Sequence, residues 1–113
     1  MKFRLIRQEP GDELCGQACV AMVLGVCLET ACYHVAKYKR SGSQELGRTL
    51  RAFGWKVPHK LIRGHPEKGT PAIALWRDPK QRGHWVLWTG DYWLCPTDGK
   101  LATVKDGWIA ERY

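Results

Sequence analysis

An α+β fold, with an N-terminal helical part packed on a C-terminal antiparallel β-sheet, is what this 113-residue sequence predicts. Between residues 15 and 53, apolar residues recur at helical spacing and lie between helix-starting and helix-stopping residues. From residue 72 onward they gather instead in short runs separated by Gly, Pro and Asp. Hydrophobic residues make up 44% of the chain, enough for one core, and no linker or repeat interrupts it, so residues 1–113 are read as a single domain.

Residues 2–7 set Phe3 and Leu5 among basic residues, with Ile6 out of step. A short edge strand or an extended arm leading to Gln8 is expected there. Turn-prone Pro10, Gly11 and Asp12 then run into a compact apolar stretch that begins at Cys15. Ala, Met and Leu favour helix and almost no face is polar, so a buried helix is expected from Cys15 to Leu24, stopped by Gly25. A second helix is expected from about Thr30, capped by that hydroxyl, with Ala31, Val35 and Tyr38 on one side. Ser43 caps an expected third helix whose buried face is Leu46, Leu50 and Phe53, with Gly54 just past its end.

The chain then turns extended at Trp55–Val57, and residues 64–71 read as a loop. Ala72 to Trp76 is an apolar run of strand length. Gly90-Asp91 separates two aromatic runs, His84–Thr89 and Tyr92–Cys95, and both turn residues accept the positive φ of a tight hairpin. Pro96-Thr97-Asp98-Gly99 is a further turn, and Leu101–Val104 and Trp108–Ile109 are expected closing strands. Most of the six tryptophans belong to the core, with Trp85, beside His84, placed to wall a cleft.

The net charge of +7 favours acidic partners, nucleic acid among them, with Lys37, Lys39 and Arg40 in one cluster and Lys56, Lys60 and Arg63 in another. No nucleic-acid motif accompanies the charge, so a solvated basic surface is the favoured reading. No apolar run is long enough for a transmembrane helix, and the start lacks the apolar stretch of a signal peptide, so a cytoplasmic protein with no membrane partner is expected. Four of five cysteines (Cys15, Cys19, Cys27, Cys32) crowd into the helical part with none of the tight C-x2-C spacings of a structural zinc site. Reduced thiols are expected, without metal or cofactor.

Two residues stand out chemically. A thiol at the first turn of a helix meets unpaired backbone N–H groups, which favour the thiolate, and the thiolate is the nucleophile. Cys15 has that place, with Gly16 leaving it uncrowded, whereas Cys19, one turn on, is expected in the core. His84 opens a strand at the end of a polar loop and is suited to take the thiol proton. His34, His59 and His65 are the other histidines, His34 inside a helix and His65 before a proline.

The order Gln8, then Cys15-Gly16 opening a buried helix, then Gly83-His84-Trp85-Val86 on a strand, then the Pro96 turn, resembles papain-like cysteine peptidases. The nearest likeness is to the small bacterial C39-like group that includes the double-glycine leader peptidases. The resemblance implies a papain-like fold, a peptide or protein substrate, and cleavage of a peptide or isopeptide bond through a thioester on Cys15 with His84 as base. Gln8, seven residues before Cys15, is the expected oxyanion donor together with the Cys15 N–H; the family has one residue fewer in that interval, so the loop must bulge. Where the family has Asp-Pro beside the histidine, this chain has Cys95-Pro96, and a thiol accepts poorly from an imidazole N–H. Counting along the hairpin, a two-residue turn sets Thr97 opposite His84, and one extra loop residue sets Asp98 there instead. Asp98 as orienting carboxylate and a Cys–His dyad without one both stay open.

The double-glycine preference of the exporters is not expected, as these residues hold no transporter domain. The competing expectation is a catalytically inactive papain-like basic module that contacts nucleic acid or an acidic protein. A transglutaminase-like or amidase activity on the same pair is a third.

Overall fold

The structure is a computed structural model that describes residues 3–8, 14–35, 42–57, 62–77, 83–103 and 109–112. Its first helix, α1 (Cys15–Leu24), has the bounds the sequence predicts and ends on Gly25 at φ +70°, where the chain reverses without a Cβ penalty. A helix apolar all round must be covered all round. Cys19, Val20, Ala21 and Met22 pack into one core with Ala31, Val35, Leu46 and Leu50 from the helices that follow and Ile73, Leu75, Trp85 and Leu87 from the sheet.

The next two helices correct the sequence reading in detail. Helix α2 (Leu28–His34) begins before Thr30, with Cys27 in the cap position. The Thr30 hydroxyl caps nothing; it lies 3.1 Å from the Cys27 sulfur. Val35 leaves the helix in extended conformation but stays buried, and Tyr38 lies outside the described residues. Helix α3 (Ser43–Ala52) is capped at Gly42, whose N–H donates to Glu45 Oε1 at 3.1 Å, and not by Ser43. Leu46 and Leu50 are buried as expected, but Phe53 is 48% exposed. The last turn tightens there, with the Phe53 N–H shared between the Thr49 and Leu50 carbonyls, and the ring swings out edge-on to His34.

Six strands follow among the described residues: β1 (Ile62–Arg63), β2 (Ala72–Arg77), β3 (Gly83–Trp88), β4 (Trp93–Cys95), β5 (Gly99–Leu101) and β6 (Ile109–Arg112). They form one antiparallel sheet in the order β1-β6-β2-β3-β4-β5. The chain is therefore α+β, helices first and antiparallel sheet after. The expected closing strands are displaced: β5 ends at Leu101 where β-structure was expected to begin, and β6 starts at Ile109 where it was expected to end. Val104 and Trp108 lie outside the described residues, and Trp55–Val57 is irregular.

Side chains alternate across the sheet. Ile73, Leu75, Trp85, Leu87 and Leu94 belong to the core under α1, while Ala74, Trp76, Val86, Trp88, Trp93 and Cys95 form a second cluster on the other face. There Trp93 packs edge-on to Trp76 at 5.1 Å, and His65 packs on both Trp88 and Trp93. The β3–β4 hairpin turns at Gly90, φ +104°, where a Cβ would come within 3.1–3.3 Å of the backbone of Gly69 and Thr70. Only glycine fits both that φ and that approach. No single helix among the described residues is long and apolar enough to cross a membrane.

Candidate active site

Residues 3–8 form an arm and not a strand, held by Phe3, Leu5 and Ile6 packing on the core. The arm delivers Gln8 to the start of α1, and Gln8 makes three bonds there. Its backbone N–H donates to Pro96 O at 3.2 Å. Its Oε1 accepts from the Leu14 N–H at 2.8 Å, and its Nε2 donates to Thr97 Oγ1 at 3.0 Å. Gln8 therefore stands between the helix that begins with Cys15 and the turn after β4. The bulge the sequence required, at residues 9–13, lies outside the described residues.

Cys15 is the first residue of α1 and half-buried. Its sulfur accepts from the Trp85 backbone N–H at 3.3 Å, across 70 residues of sequence. That amide is the peptide bond that joins Trp85 to His84. The thiol thus meets β3 at the position next to the candidate base. His84 is half-buried, with Trp76 as its Cα partner on β2. It keeps step with Val86 and Trp88, whose side chains belong to the face away from α1, while Trp85 and Leu87 point under α1. The Trp85 ring fills the core at 6% exposure, so its contribution to the site is its amide and not a wall of indole.

The other described histidines have different company. His34 ends α2 and is edge-on to Tyr33 and Phe53. His65 is held by two tryptophans, and its Nδ1 donates to Pro66 O at 2.7 Å, which places the proton on Nδ1 because a carbonyl only accepts. His59 lies outside the described residues, as do Lys37, Lys39, Arg40 and Lys60 of the two basic clusters.

The hairpin register settles one count. Trp88 pairs with Trp93 and Leu87 with Leu94, and Thr89 N–H donates to Tyr92 O at 2.9 Å, so the turn has two residues and no extra one. The extra loop residue by which Asp98 was counted opposite His84 is not in that turn. The strand β4 ends at Cys95, where the chain turns back through residues 96–98 to pair Cys95 with Gly99, so the ladder itself sets neither Thr97 nor Asp98 opposite His84. Asp98 instead sits in the turn, exposed, with its N–H donating to the Cys95 sulfur at 3.4 Å and Oδ2 lying 3.8 Å from that sulfur.

All five cysteines are free thiols. Cys19 is fully buried, and burial pushes its thiol well above the ordinary range, with the Cys15 and Cys95 sulfurs adding to the effect. Gln17, also fully buried, ties α1 to the end of α2 by donating to Val35 O at 3.3 Å. Among the described residues no three His, Cys, Asp or Glu side chains converge as a metal site needs. A cavity of about 250 Å³, lined by Val23, Leu50, Trp55 and Ile73 among others, lies at the opposite end of α1 from Cys15 and is separate from this site. Thr97 and the Trp85 amide are the parts that sequence reasoning did not assign. The hairpin count had already set Thr97 opposite His84, whereas a backbone amide carries no sequence signal.

Comparison with protein-family models, with curated proteins and with solved structures gave no match to this chain.

Proposed function

We propose that the protein is a papain-like cysteine peptidase that cleaves a peptide or isopeptide bond through a thioester on Cys15. The observation that carries this reading is the Cys15 sulfur at 3.3 Å from the amide next to His84. A thiol that opens a buried helix and is bonded to the peptide joining Trp85 to a strand-borne histidine brings a nucleophile and a candidate base to adjoining positions of the fold, as nucleophilic catalysis needs. His84 takes the Sγ proton, and the sulfur attacks the carbonyl carbon of the substrate. A C–S bond forms while the carbonyl π pair moves to oxygen. The Cys15 N–H and Gln8 Nε2 are the donors placed for that oxygen. Collapse expels the amine, which takes its proton from the His84 imidazolium and leaves a thioester. His84 then deprotonates a water that attacks the thioester, releasing the acid and restoring the thiol. Asp98, two residues past Pro96 in the adjoining turn, is the carboxylate assigned to hold the imidazole. Free cysteines fit a reducing, cytoplasmic setting.

The decisive experiment is labelling by a thiol-directed acyl-enzyme probe. Cys15→Ala abolishes it and leaves the circular dichroism spectrum unchanged; labelling that persists in the variant rejects the reading. The net charge of +7 favours one second reading, a basic module that binds nucleic acid or an acidic protein without catalysis. It predicts binding that weakens steeply with salt and survives Cys15→Ala.

A further inference from the structure

We infer that Thr97 is a positioning residue whose hydroxyl holds the Gln8 carboxamide in place as an oxyanion donor. The inference rests on the Cys15 reading above and adds to it the group that makes Gln8 effective.

The orientation of the Gln8 amide is not ambiguous. The Leu14 backbone N–H can only donate, so the group 2.8 Å from it is the carbonyl oxygen Oε1. The NH2 therefore lies on the other side, where one of its two N–H bonds is given to Thr97 Oγ1 at 3.0 Å. Among the described residues nothing accepts from the second N–H. Leu14 immediately precedes Cys15, so the carbonyl end of Gln8 is fixed to the backbone that launches the nucleophile.

Thr97 is itself held. Arg7 Nη1 donates to its carbonyl at 3.2 Å, and the Gln8 N–H donates to the carbonyl of Pro96, also at 3.2 Å. Arm and turn are thus joined at two consecutive residues on each side. A glutamine side chain bonded at one end still rotates about its long stem; bonded at both ends it does not. Oxyanion stabilisation depends on a donor that is already oriented when charge develops. Thr97 supplies the second fixed end, from the turn that follows β4.

A purely structural bond would fasten the arm and affect every reaction of the site alike. Positioning of an oxyanion donor affects only reactions that build an oxyanion. Two reagents separate these. p-Nitrophenyl acetate acylates a thiol through a tetrahedral oxyanion, with nitrophenolate leaving. Iodoacetamide alkylates it by displacing iodide, with no oxyanion. In the full chain carrying Cys27→Ser, so that the exposed thiol does not report, Thr97→Val lowers acylation of Cys15 roughly tenfold, while alkylation and the thermal midpoint hold. Thr97→Ser restores acylation. In a Gln8→Ala background, Thr97→Val lowers the acylation-to-alkylation ratio no further, because Thr97 acts through Gln8.

Equal acylation in Thr97→Val and its parent overturns the inference and leaves the Cys15 assignment standing. A parallel fall of both reactions with the thermal midpoint overturns it in favour of a structural role. Should Thr97→Val not fold, failure of Thr97→Ser to match its parent in acylation overturns it as well. Acylation of the parent no faster than of Cys15→Ala overturns the Cys15 reading itself.

Discussion

Two cysteines of this chain stand at helix starts, and they differ in what surrounds them. Cys27 precedes α2, is exposed, and has its sulfur 3.1 Å from the Thr30 hydroxyl. That hydroxyl, then the Thr30 and Glu29 backbone N–H groups, hold its thiol below the ordinary range. Cys15 opens α1, is half-buried, and has its sulfur against the Trp85 amide beside His84. Cys27 has acidity made from local groups within a single turn. Cys15 has a partner from a distant strand, and the residue before it, Leu14, is bonded by Gln8 of the arm. Acidity makes a thiol reactive toward any electrophile, whereas turnover needs a base to move the proton and donors to receive the oxyanion. On the proposed reading the pair separates reactivity from catalysis within one molecule.

The largest effect is expected where that separation is complete. Turnover of an activated acyl substrate falls roughly 10³-fold or more in Cys15→Ala and less than about twofold in Cys27→Ala, measured as steady-state rates. A loss shared by both variants breaks the comparison. His84→Ala lowers acyl turnover by roughly 10²–10⁴-fold, the usual worth of a general base, without moving the thermal midpoint by more than a few degrees. Rates restored by added imidazole sharpen the assignment to proton transfer.

A smaller effect concerns Cys27 alone. Its folded thiol is more acidic than in the unfolded chain, so it is alkylated by iodoacetamide at pH values below the ordinary thiol range, about 8.5. Thr30→Val removes the leading cause and moves the midpoint of that alkylation profile upward. An unmoved midpoint shows that the hydroxyl is not responsible. By linkage the depressed value also favours the fold above the ordinary thiol range, a contribution that disappears as pH falls through the folded midpoint.

Cys19 runs the other way. Its folded thiol is pushed up by burial, so its contribution to stability is present below the ordinary thiol range and is lost as pH rises above it. The thermal midpoint of the native chain therefore falls more steeply between about pH 8 and pH 10 than that of Cys19→Ala. Equal slopes contradict the assignment.

How much of this was legible from residues alone follows from what each element depends on. Helix α1 was readable to its bounds, because an all-apolar stretch that ends in Gly leaves few alternatives. The β3–β4 hairpin was readable because Gly90 and Asp91 fix a local turn. The start of α2 was not, since Thr30 is a better intrinsic cap than Cys27 and tertiary packing of Ala31 and Cys32 decided the matter. Phe53 was misplaced because helical spacing holds only while the helix does. In the site, the types and order of Cys15, His84 and Gln8 were visible. The bonds from Gln8 to Leu14 and Thr97 were not, as they depend on where an arm without regular structure crosses a turn. The hairpin count for Asp98 met a similar limit, because β4 ends at Cys95 and a count of register stops where the strand does.

The central claim is that sulfur and imidazole work as a unit at Cys15 and nowhere else. The most direct measurement is peptide mapping by mass spectrometry after brief exposure of the native chain and of His84→Ala to an activated acyl donor. The account predicts an acyl thioester on Cys15 of the native chain, little on Cys27, and almost none on Cys15 once His84 is removed. An adduct that forms on Cys27 as fast as on Cys15, or on Cys15 as fast without His84, contradicts it.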